Sequence, residues 1–412
     1  MIRIKQSEAK GIVVVPASKS YLQRYILASF YSKDKIIIGN VTYSNDVHDA
    51  LNAIQALGKK VTLRKNEIVI EEGKKPSHEY HIKESATTLR LLIPILFTLK
   101  KTCTIYCKES LLKRPLDYYK DLAAKNKFHF KVGKDRIILK GSLKAGNFII
   151  DSPKTSQFVT GMLLTLPSLK GKSTLKVINQ VSKPYVEMTL ETLNNYGIKV
   201  DYQNDIYNIE GRQKYIGSYW KTEGDWSQAA YFFALALFNE DLLIRNVNLD
   251  SLQGDKAILE ILEDFGCEFE YSNGCFKCIK RSFKKMTIDL NDIPDLGPIL
   301  MVLALLGKEE VTFINTNRLI YKESNRLDYM LFELSKIGLK YKKEDNQVTF
   351  LKSDLNNDSI VFETYNDHRI FMSLAILSII VSNDTFIKGE GAVNKSYPNF
   401  IEVLKELNVI VK

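Results

Sequence analysis

The sequence predicts an α/β protein of two domains, each built of three βαβαββ units. The main observation is a sixfold internal repeat, in which an amphipathic helix ends at Gly or Asn and is followed by alternating apolar residues. These helix-ending residues recur every 68 to 72 positions and are Gly58, Asn126, Gly197, Gly266, Gly338 and Asn408. Gly and Asn close helices because they readily adopt the left-handed backbone conformation. The second observation is the length of 412 residues, which favours two domains over one.

Each unit reads in order as strand, polar turn, helix, strand, polar turn, helix and hairpin. The first polar turn lies 36 to 43 residues before the closing Gly or Asn, at Lys19, Arg90, Ser156, Asp225, Asp295 and Arg369. The second lies about 12 residues before it, in the segments SNDVHDA, KRPLDYY, SKPYVEM, SLQGDKA, KESNRLD and VNKSYPNF. Because α/β proteins usually bind ligands where a strand leads into a helix, we expect the functional residues in these turns.

The two ends of the sequence indicate how the units divide into domains. Two strands, IRI and IVVV, precede the first polar turn, whereas the last unit ends at VIVK after a single strand. We therefore expect the N-terminal strands to complete the last unit, and IVVV to be buried. Residues 1–17 and 222–412 then form a discontinuous domain, and residues 18–221 form an inserted domain. We expect the active site in the cleft between the two domains.

Charge and cysteine content argue against several classes of protein. The net charge is +10 and the pI is near 9.0, yet the basic residues are dispersed, which indicates a solvated surface and no nucleic-acid partner. The sequence shows neither an apolar stretch of membrane-spanning length nor a signal-peptide core, so we expect a cytoplasmic protein without a membrane contact. Five cysteines fit a reducing compartment. Cys275 and Cys278, near Cys267, have no second pair or histidine close in sequence, so we predict no metal site.

The turn after IVVV carries the first candidate ligand-binding groups. Ser18 and Ser20 supply hydroxyls, and Lys19 supplies an ammonium group. Arg24 lies one helical turn beyond Ser20 on the same face. Together with the N–H groups of the helix start, these side chains could form a cradle for an anion. The same residues are equally compatible with a serine-capped helix and a solvated lysine.

Further cations occupy the other turns. Four arginines are predicted at helix starts, where a positive charge opposes the helix dipole. They are Arg90, Arg114, Arg326 and Arg369. Turns of the same class contain Lys322 and Lys395 and the neutral donors Thr155, Ser156, Gln157, Ser182 and Tyr185. Cations that converge need an anion to neutralise them, so the turns predict ligands with phosphate and carboxylate groups.

Three acids, Asp295, Glu323 and Asp367, stand among these cations. A carboxylate beside cations has a lowered pKa and suits a general base or an electrostatic stabiliser, whereas a proton donor needs partial burial. Structural alternatives exist for each position. Asp295 could cap a helix, and Glu323 could form a surface ion pair. For His368, beside Asp367, we favour the interpretation of a packing residue.

The motifs resemble those of the 5-enolpyruvylshikimate-3-phosphate synthase family along about the whole chain. PASKSYLQR resembles the P-G-S-K-S signature with its following Arg, and KESNR with TYNDHR resembles the second signature. The resemblance implies the enolpyruvyl transferase fold, an inside-out α/β barrel in each of two domains. It implies transfer of the enolpyruvyl group of phosphoenolpyruvate to the 5-hydroxyl of shikimate 3-phosphate, with release of phosphate. It also implies no cofactor and no metal, and these two small molecules as partners of a monomer.

The resemblance assigns roles to individual residues. Shikimate 3-phosphate would be bound by Lys19, Ser20, Arg24, Thr155, Ser156, Gln157, Ser182, Tyr185, Asp295 and Lys322. Phosphoenolpyruvate would be bound by Lys19, Ala86, Arg114, Gln157, Arg326, Arg369 and Lys395. The catalytic residues would be Asp295, Glu323, Lys19 and Lys395. Among them, Asp295 would accept the 5-hydroxyl proton and Glu323 would handle the proton at carbon 3.

The sequence departs from the family pattern at three places. Asn325 replaces the Asp of K-E-[ST]-D-R, and Arg318 replaces an Asn common in the family. The stretch E-S-A-T at residues 84–87 replaces N-A-G-T.

Three alternative functions are weighed against this assignment. A UDP-N-acetylglucosamine enolpyruvyl transferase shares the fold but needs a catalytic cysteine, and Cys107 lies too far before Arg114 in an apparent strand. An RNA-terminal phosphate-modifying protein is disfavoured because basic clusters are missing from the sequence. A catalytically inactive binding protein is disfavoured because the predicted catalytic residues are all present.

Overall fold

The chain crosses twice between two units in the computed structural model, which describes residues 1–356 and 358–412. We call them the discontinuous unit (Met1–Pro16 and Glu223–Lys412) and the inserted unit (Ala17–Thr222). The buried apolar side chains form one cluster within each unit. Each unit therefore has its own hydrophobic core.

Helices and strands follow one another along the chain in the order that the repeat predicts. The α-helices are α1 (Lys19–Ala28), α2 (Asn45–Ala56), α3 (Ala86–Thr98), α4 (Glu109–Leu112), α5 (Asp117–Lys125), α6 (Gln157–Thr165), α7 (Lys183–Asn195), α8 (Trp226–Ala236), α9 (Ile258–Phe265), α10 (Gly297–Gly307), α11 (Arg326–Ser335), α12 (His368–Ile380) and α13 (Phe400–Glu406). The strands are β1 (Ile2–Ile4), β2 (Gly11–Val14), β3 (Ile36–Gly39), β4 (Lys59–Arg64), β5 (Glu67–Glu72), β6 (Glu79–Ile82), β7 (Cys103–Cys107), β8 (His129–Val132), β9 (Arg136–Lys140), β10 (Asn147–Asp151), β11 (Ser173–Ile178), β12 (Asp201–Gln203), β13 (Ile206–Ile209), β14 (Tyr219–Lys221), β15 (Leu242–Arg245), β16 (Glu268–Ser272), β17 (Cys275–Lys280), β18 (Met286–Asp289), β19 (Val311–Ile314), β20 (Tyr341–Glu344), β21 (Gln347–Phe350), β22 (Ile360–Phe362) and β23 (Thr385–Ile387).

The strands of the described residues form six small sheets, of which the five four-stranded ones share one topology and the sixth has three strands. In the sheet β10-β11-β13-β12, β10 pairs in parallel with β11, and β12 and β13 form an antiparallel hairpin against β11. Helix α6 joins the two parallel strands, because parallel neighbours cannot be joined by a tight turn. The predicted repeat of βαβαββ units is confirmed.

The first strands of two repeats are exchanged where the chain crosses between the units. β2, directly before the first polar turn, pairs in parallel with β15 of the discontinuous unit. β14 pairs in parallel with β3 of the inserted unit. The expectation that both N-terminal strands complete the last repeat is therefore wrong for β2, because residue spacing does not report which sheet a strand joins. IVVV is also not buried throughout, since Ile12 and Val14 point to the exposed face of the strand.

β1 lies in the sheet of the last repeat. It pairs antiparallel with β23, which in turn pairs in parallel with β22, and Ile4 forms a further bridge with Val411. The backbone N–H of Arg3 donates to the carbonyl of Lys412 at 2.8 Å, and the reverse hydrogen bond measures 2.9 Å. The two ends of the chain thus take the place of the hairpin in this sheet.

The core of each unit contains helices that are buried on nearly all sides. They are α1, α3 and α6 in the inserted unit, and α8, α10 and α12 in the discontinuous unit. α3 packs against α1 and α6, and α8, α10 and α12 pack against one another. Their surfaces are largely apolar because no face meets water, and buried polar side chains such as Gln23 and Arg24 of α1 are hydrogen-bonded within the protein. None of the helices in the described ranges combines the length and apolar character that crossing a membrane requires.

The predicted helix ends adopt the left-handed conformation with one exception. Positive φ angles occur at Gly58, Gly197, Gly266, Gly338 and Asn408. Asn126 instead has a φ of −97°, and the next residue, Lys127, takes the left-handed conformation with a φ of 56°. The turn is displaced by one residue, because the Asn126 side chain donates a hydrogen bond to the carbonyl of Leu122 and so extends the helix end.

The pairing of β1 predicts unequal effects of two matched substitutions. Ile4→Ala removes a fully buried side chain and should cost about 2–5 kcal/mol of unfolding free energy. Ile12→Ala, in the next strand along the chain, β2, changes a side chain that is 52% exposed. It should cost less than about 1 kcal/mol. Urea unfolding followed by fluorescence measures both values, and equal losses would contradict the burial of β1 in this sheet.

Candidate active site

Polar side chains gather at the starts of several helices and in one further turn. In the inserted unit they come from the starts of α1, α3, α6 and α7. In the discontinuous unit they come from the starts of α10, α11 and α12 and from the turn Glu390–Lys395. A helix start offers N–H groups that the helix itself does not satisfy, so it suits the binding of anions.

Lys19 is the first residue of α1 and forms an ion pair with Asp46. Its Nζ lies 2.9 Å from Oδ2 of Asp46, which stands in the first turn of α2. The helix dipole favours a carboxylate at that position. Both side chains are mostly buried, at 15% and 9% exposure. Lys19 is therefore a fixed, partly buried cation rather than a solvated surface lysine.

The turn before α3 is fixed by side chains from α1 and α2. Nε2 of Gln23 donates to Oγ of Ser85 at 2.7 Å. Oδ2 of Asp49 accepts hydrogen bonds from the backbone N–H groups of Glu84 and Ser85. Burial raises the pKa of the Asp49 carboxyl, although these N–H donors oppose the shift. The contacts place Ala86, the first residue of α3, which is almost fully buried.

Arg90 connects α3 to two other polar turns. Its Nη1 donates to Oε1 of Gln157 at 2.6 Å, and its Nε and Nη2 donate to the carbonyl of Pro115 at 3.1 and 2.9 Å. Burial, with a smaller contribution from the charge of Arg114, lowers the pKa of Arg90 to about 9. The prediction that Arg114 begins a helix is wrong. It lies between α4 and α5, because the residue before a proline disfavours the helical conformation.

The start of α6 brings three of the predicted donors together. Gln157 is its first residue, and Nε2 of Gln157 donates to Oγ1 of Thr87 at 2.8 Å. The backbone N–H of Gln157 donates to Oγ1 of Thr155 at 3.2 Å. Ser156, between them, is buried. Because Arg90 holds the other end of the Gln157 amide, this side chain has a single orientation.

Arg24 ties α1 to α7. Its Nε donates to Oγ1 of Thr189 at 3.0 Å, and its Nη1 and Nη2 donate to the carbonyls of Ser20 and Tyr185, both at 2.8 Å. Burial lowers the pKa of Arg24 to about 10. Ser182, the residue before α7, has a left-handed φ of 52°. The described contacts of the Arg24 guanidinium are therefore with protein oxygens that it holds in place.

Asp295 is where three cations of the discontinuous unit meet. Its Oδ1 lies 2.7 Å from Nη1 of Arg326 and 3.3 Å from Nζ of Lys322. Its Oδ2 lies 3.2 Å from Nη2 of Arg369. The residue at the N-cap of α10 is Leu296, so Asp295 does not have the capping role that was its structural alternative. The Asp295 side chain is 20% exposed.

Asp367 fixes the two arginines that reach Asp295. Its Oδ2 accepts hydrogen bonds from Nε of Arg326 at 2.8 Å and from Oγ of Ser324 at 3.0 Å. As the N-cap of α12, it also accepts the backbone N–H of Arg369 at 2.9 Å. Burial raises the pKa of Asp367, but the charge and the hydrogen bond of Arg326 together with the charge of His368 outweigh this effect, and the pKa is lowered. Both members of this buried pair are therefore charged.

Glu323 forms a second centre with His368 and Lys395. Its Oε2 lies 2.9 Å from Nδ1 of His368 and 3.7 Å from Nζ of Lys395. Burial alone would raise the pKa of Glu323, but His368, Lys395 and Arg326 hold it well below its usual value. Nζ of Lys395 also donates to the carbonyl of Asn366 at 2.6 Å. His368 is buried, as the interpretation of a packing residue expects, and its ring also contacts the candidate acid.

Comparison with known proteins identifies the family. The model for EPSP synthase (3-phosphoshikimate 1-carboxyvinyltransferase) matches residues 4–404. The chain belongs to the EPSP synthase family. A 3-phosphoshikimate 1-carboxyvinyltransferase from Clostridium kluyveri is 34% identical over 418 residues, covering 98% of this chain and 97% of the relative. One from Brachyspira hyodysenteriae is 34% identical over 425 residues, covering 100% and 99%.

Solved structures show the same fold at lower sequence identity. EPSP synthase from Acinetobacter baumannii matches with a TM-score of 0.81 at 21% identity, covering 100% of this chain and 99% of that one. The enolpyruvyl transferase NikO from Streptomyces tendae matches with a TM-score of 0.82 at 14% identity, covering 100% and 98%. The predicted enolpyruvyl transferase fold is confirmed.

Two departures from the EPSP synthase pattern have a structural account. Asn325 is the N-cap of α11, where its Oδ1 accepts the backbone N–H of Asp328 at 3.2 Å and its Nδ2 donates to the Asp328 carboxylate at 2.7 Å. Asn caps helices as well as Asp does, so the helix start is preserved. Arg318 is buried, and its Nε donates to the carbonyl of Asn291 at 3.2 Å.

Glu323, Asp367 and His368 place three potential metal ligands within 4.8 Å of one another. Nζ of Lys395 lies 3.7 Å from Glu323, and Nε of Arg326 lies 2.8 Å from Asp367. A metal ion there would meet two positive charges that already neutralise the carboxylates. The donor set therefore fits the observed ion pairs, and we assign no metal to it.

The supporting acids Asp46, Asp49 and Asp255 were not predicted from the sequence. All three lie in polar turns that the repeat identifies, but their partners are distant in sequence. Asp255 is buried, and its Oδ2 contacts Oγ of Ser227. Burial and the charge of Asp295 raise the pKa of Asp255 to about 7, although Arg369 opposes the shift. Their position in a predicted ligand-binding turn is the sequence signal by which Asp46, Asp49 and Asp255 could have been found.

The raised pKa of Asp255 predicts a pH-dependent stability. An unfolded Asp titrates near about 3.9, so between that pH and about 7 the folded protein holds a proton that the unfolded chain has lost. The stability that this bound proton contributes is complete below about pH 3.9 and disappears as the pH rises through about 7. The melting temperature should therefore fall less between about pH 5 and about pH 8 in Asp255→Asn than in the original protein.

Thermal unfolding at the two pH values measures this difference. Asp250→Asn is the matched control, because Asp250 lies in the same segment and is exposed. If Asp255→Asn and Asp250→Asn leave the same pH dependence, Asp255 is ionised in the folded protein.

Proposed function

We propose that this chain is a 3-phosphoshikimate 1-carboxyvinyltransferase, which transfers the enolpyruvyl group of phosphoenolpyruvate to the 5-hydroxyl of shikimate 3-phosphate and releases phosphate. The observation that carries the proposal is the pair of acids, Asp295 and Glu323, each bonded to cations within one unit. Addition to an enol phosphate, followed by elimination, requires a proton acceptor, a second proton-handling group and cations that stabilise the developing charge. Membership of the EPSP synthase family supports the same pair of substrates.

The positions of the cations and neutral donors support a separate set of binding residues for each substrate, with Lys19 and Gln157 in both sets. Phosphoenolpyruvate carries a phosphate and a carboxylate, and we assign it to Lys19, Ala86, Arg114, Gln157, Arg326, Arg369 and Lys395. We assign shikimate 3-phosphate to Lys19, Ser20, Arg24, Thr155, Ser156, Gln157, Ser182, Tyr185, Asp295 and Lys322. Arg24 acts in this set by holding the backbone of Ser20 and Tyr185, since its guanidinium donates to their carbonyls. Each of the two residue sets includes members from both units.

The addition step forms one bond to each carbon of the enol. The 5-hydroxyl oxygen of shikimate 3-phosphate bonds to carbon 2 of phosphoenolpyruvate while Asp295 accepts its proton. Carbon 3 gains a proton from Glu323 and becomes a methyl group. In the elimination step Glu323 takes a proton back from carbon 3, and the bond between carbon 2 and the phosphate oxygen breaks. Phosphate leaves with the electron pair of that bond and with the proton that Asp295 had accepted, so both acids return to their initial states.

Substrate charge explains how Glu323 can begin the reaction protonated. His368 lowers the pKa of Glu323 most, and Lys395 and Arg326 lower it further. When the anionic groups of phosphoenolpyruvate bind these two cations, their positive charge is neutralised. The pKa of Glu323 then rises, because His368 alone of these three groups still opposes the effect of burial. The proton therefore becomes available when the substrate is bound.

The alternative, a UDP-N-acetylglucosamine enolpyruvyl transferase, is not supported by the cysteine it would need. Cys107 is the last residue of β7 and is buried. Burial, with the charge of Asp49, raises the pKa of its thiol to about 12. A reactive cysteine has a lowered pKa and is accessible.

The cysteines support the compartment in which we place the protein. Cys103, Cys107, Cys267, Cys275 and Cys278 are all free thiols. Disulfides persist mainly outside the reducing cytoplasm. We propose a cytoplasmic, monomeric enzyme whose partners are its two small-molecule substrates.

Release of phosphate tests the proposed function directly. The purified protein is mixed with shikimate 3-phosphate and phosphoenolpyruvate, and phosphate is measured over time. We expect release only when both substrates are present. UDP-N-acetylglucosamine in place of shikimate 3-phosphate is the control for the alternative transferase. A folded protein that releases no phosphate from the two proposed substrates would falsify the assignment.

The roles of the two acids predict large effects on turnover. Asp295→Asn and Glu323→Gln keep the shape of each side chain but remove its proton-transfer capacity, so kcat should fall about 10²–10⁴-fold. KM for either substrate should change much less, because the binding cations remain. Glu344→Gln is the control, since Glu344 is exposed on β20 of the same unit. Losses of less than about tenfold in both variants would show that other groups transfer the protons.

A further inference from the structure

We propose that Glu333 is a positioning residue for the phosphoenolpyruvate side of the site. Glu333 anchors the hydroxyl of Tyr365, and the anchored turn at residues 365–366 places the carbonyl that holds Lys395. The inference rests on the proposed function for the identity of the substrate that Lys395 binds. Glu333 lies in α11, beyond the polar turns that contain the predicted site residues.

Glu333 is a fully buried carboxylate whose contacts are directed at the segment before α12. Its Oε1 accepts the hydroxyl hydrogen of Tyr365 at 2.8 Å. Its Oε2 accepts the backbone N–H of Glu363 at 3.0 Å and a hydrogen bond from Nζ of Lys336 at 2.6 Å. A buried acid is tolerated only when it is paired and hydrogen-bonded, as it is here. Two of its three partners belong to residues 363–365.

The turn that Glu333 anchors has a costly backbone conformation. Tyr365 and Asn366 are consecutive left-handed residues, with φ angles of 52° and 55°. Asn tolerates this conformation, but Tyr does not favour it, because its Cβ approaches the following carbonyl oxygen. Such residues persist where their surroundings determine them strongly. The Tyr365 ring stacks on Tyr329 at 3.7 Å between centroids and 3° between planes, and Glu333 holds its hydroxyl.

The conformation of this turn determines where the carbonyl group of Asn366 lies. The carbonyl of Asn366 accepts the hydrogen bond from Nζ of Lys395 at 2.6 Å, and the same Nζ lies 3.7 Å from Glu323. Asp367, the next residue, is held separately by Arg326. Loss of the Tyr365 anchor should therefore move the acceptor of Lys395 more than it moves Asp367 and the groups bonded to it.

Two variants and a conservative replacement test the anchor. Tyr365→Phe removes only the hydroxyl and leaves the ring stack and the other contacts of Glu333 in place. Glu333→Ala removes the whole acceptor, whereas Glu333→Gln retains an oxygen that can accept the Tyr365 hydroxyl. Glu363→Gln is the matched control, because Glu363 lies two residues before Tyr365 and its carboxylate bonds to Lys388 at 2.6 Å.

Hydrogen exchange gives a readout that needs no substrate. The amides of residues 364–367, which span the anchored turn, should exchange at least about tenfold faster in Tyr365→Phe and in Glu333→Ala than in the original protein. In Glu333→Gln and Glu363→Gln the exchange should stay within about threefold of the original. Unchanged exchange in Tyr365→Phe overturns the proposal, even if Glu333→Ala fails to fold.

Kinetics then separate positioning from general stability. KM for phosphoenolpyruvate should rise about tenfold in Tyr365→Phe, while KM for shikimate 3-phosphate stays within about twofold. Equal rises in both values, or an equal effect of Glu363→Gln, overturn the positioning role, because a merely structural loss affects both substrates. If the original protein releases no phosphate, the proposed function fails, and the exchange comparison decides on the Tyr365 anchor alone.

Discussion

Arg326 is buried in the discontinuous unit and joins two carboxylates that come from different turns. Its Nε lies 2.8 Å from Asp367 and its Nη1 lies 2.7 Å from Asp295. Removing one partner of a buried ion pair is strongly destabilising, because the remaining charge is left without compensation. The turns that begin α10, α11 and α12 therefore cannot shift independently. The proposed catalytic acids Asp295 and Glu323 lie in these turns, so their geometry depends on this one arginine.

The positive charge of the buried arginines is compensated differently in the two units. Arg326 is surrounded by carboxylates, which raise its pKa in spite of burial. Arg24 and Arg90 of the inserted unit donate to carbonyl and amide oxygens, and burial lowers their pKa to about 10 and about 9. Neutral oxygens satisfy hydrogen bonds but leave the positive charge largely uncompensated. This difference agrees with the proposal that the acids of the discontinuous unit transfer protons while the inserted unit mainly binds anionic groups.

The sequence predicts the repeat because each helix end and polar turn is a local signal. It does not predict which sheet β2 joins, since strand pairing depends on residues far apart in the chain. The same distinction holds in the site. Lys19 and Asp295 are visible as polar residues at predicted helix starts, whereas their supporting groups are not. Asp46 lies 27 residues from Lys19, and Glu333 lies 32 residues from Tyr365, so only the folded structure brings each pair together.

The buried helices explain why the chemistry is located at their starts. A helix that is enclosed on all sides can hold a charged group along its length only where protein atoms satisfy it, as they satisfy Arg24, so ligand-binding groups are favoured at its ends. In the discontinuous unit, stability alone favours Asp225 and Asp367, because each caps a helix and complements the dipole. Stability does not favour Lys19 at the start of α1, where a cation opposes the dipole. The position of Lys19, held by Asp46, therefore argues for function more strongly than the position of any capping acid.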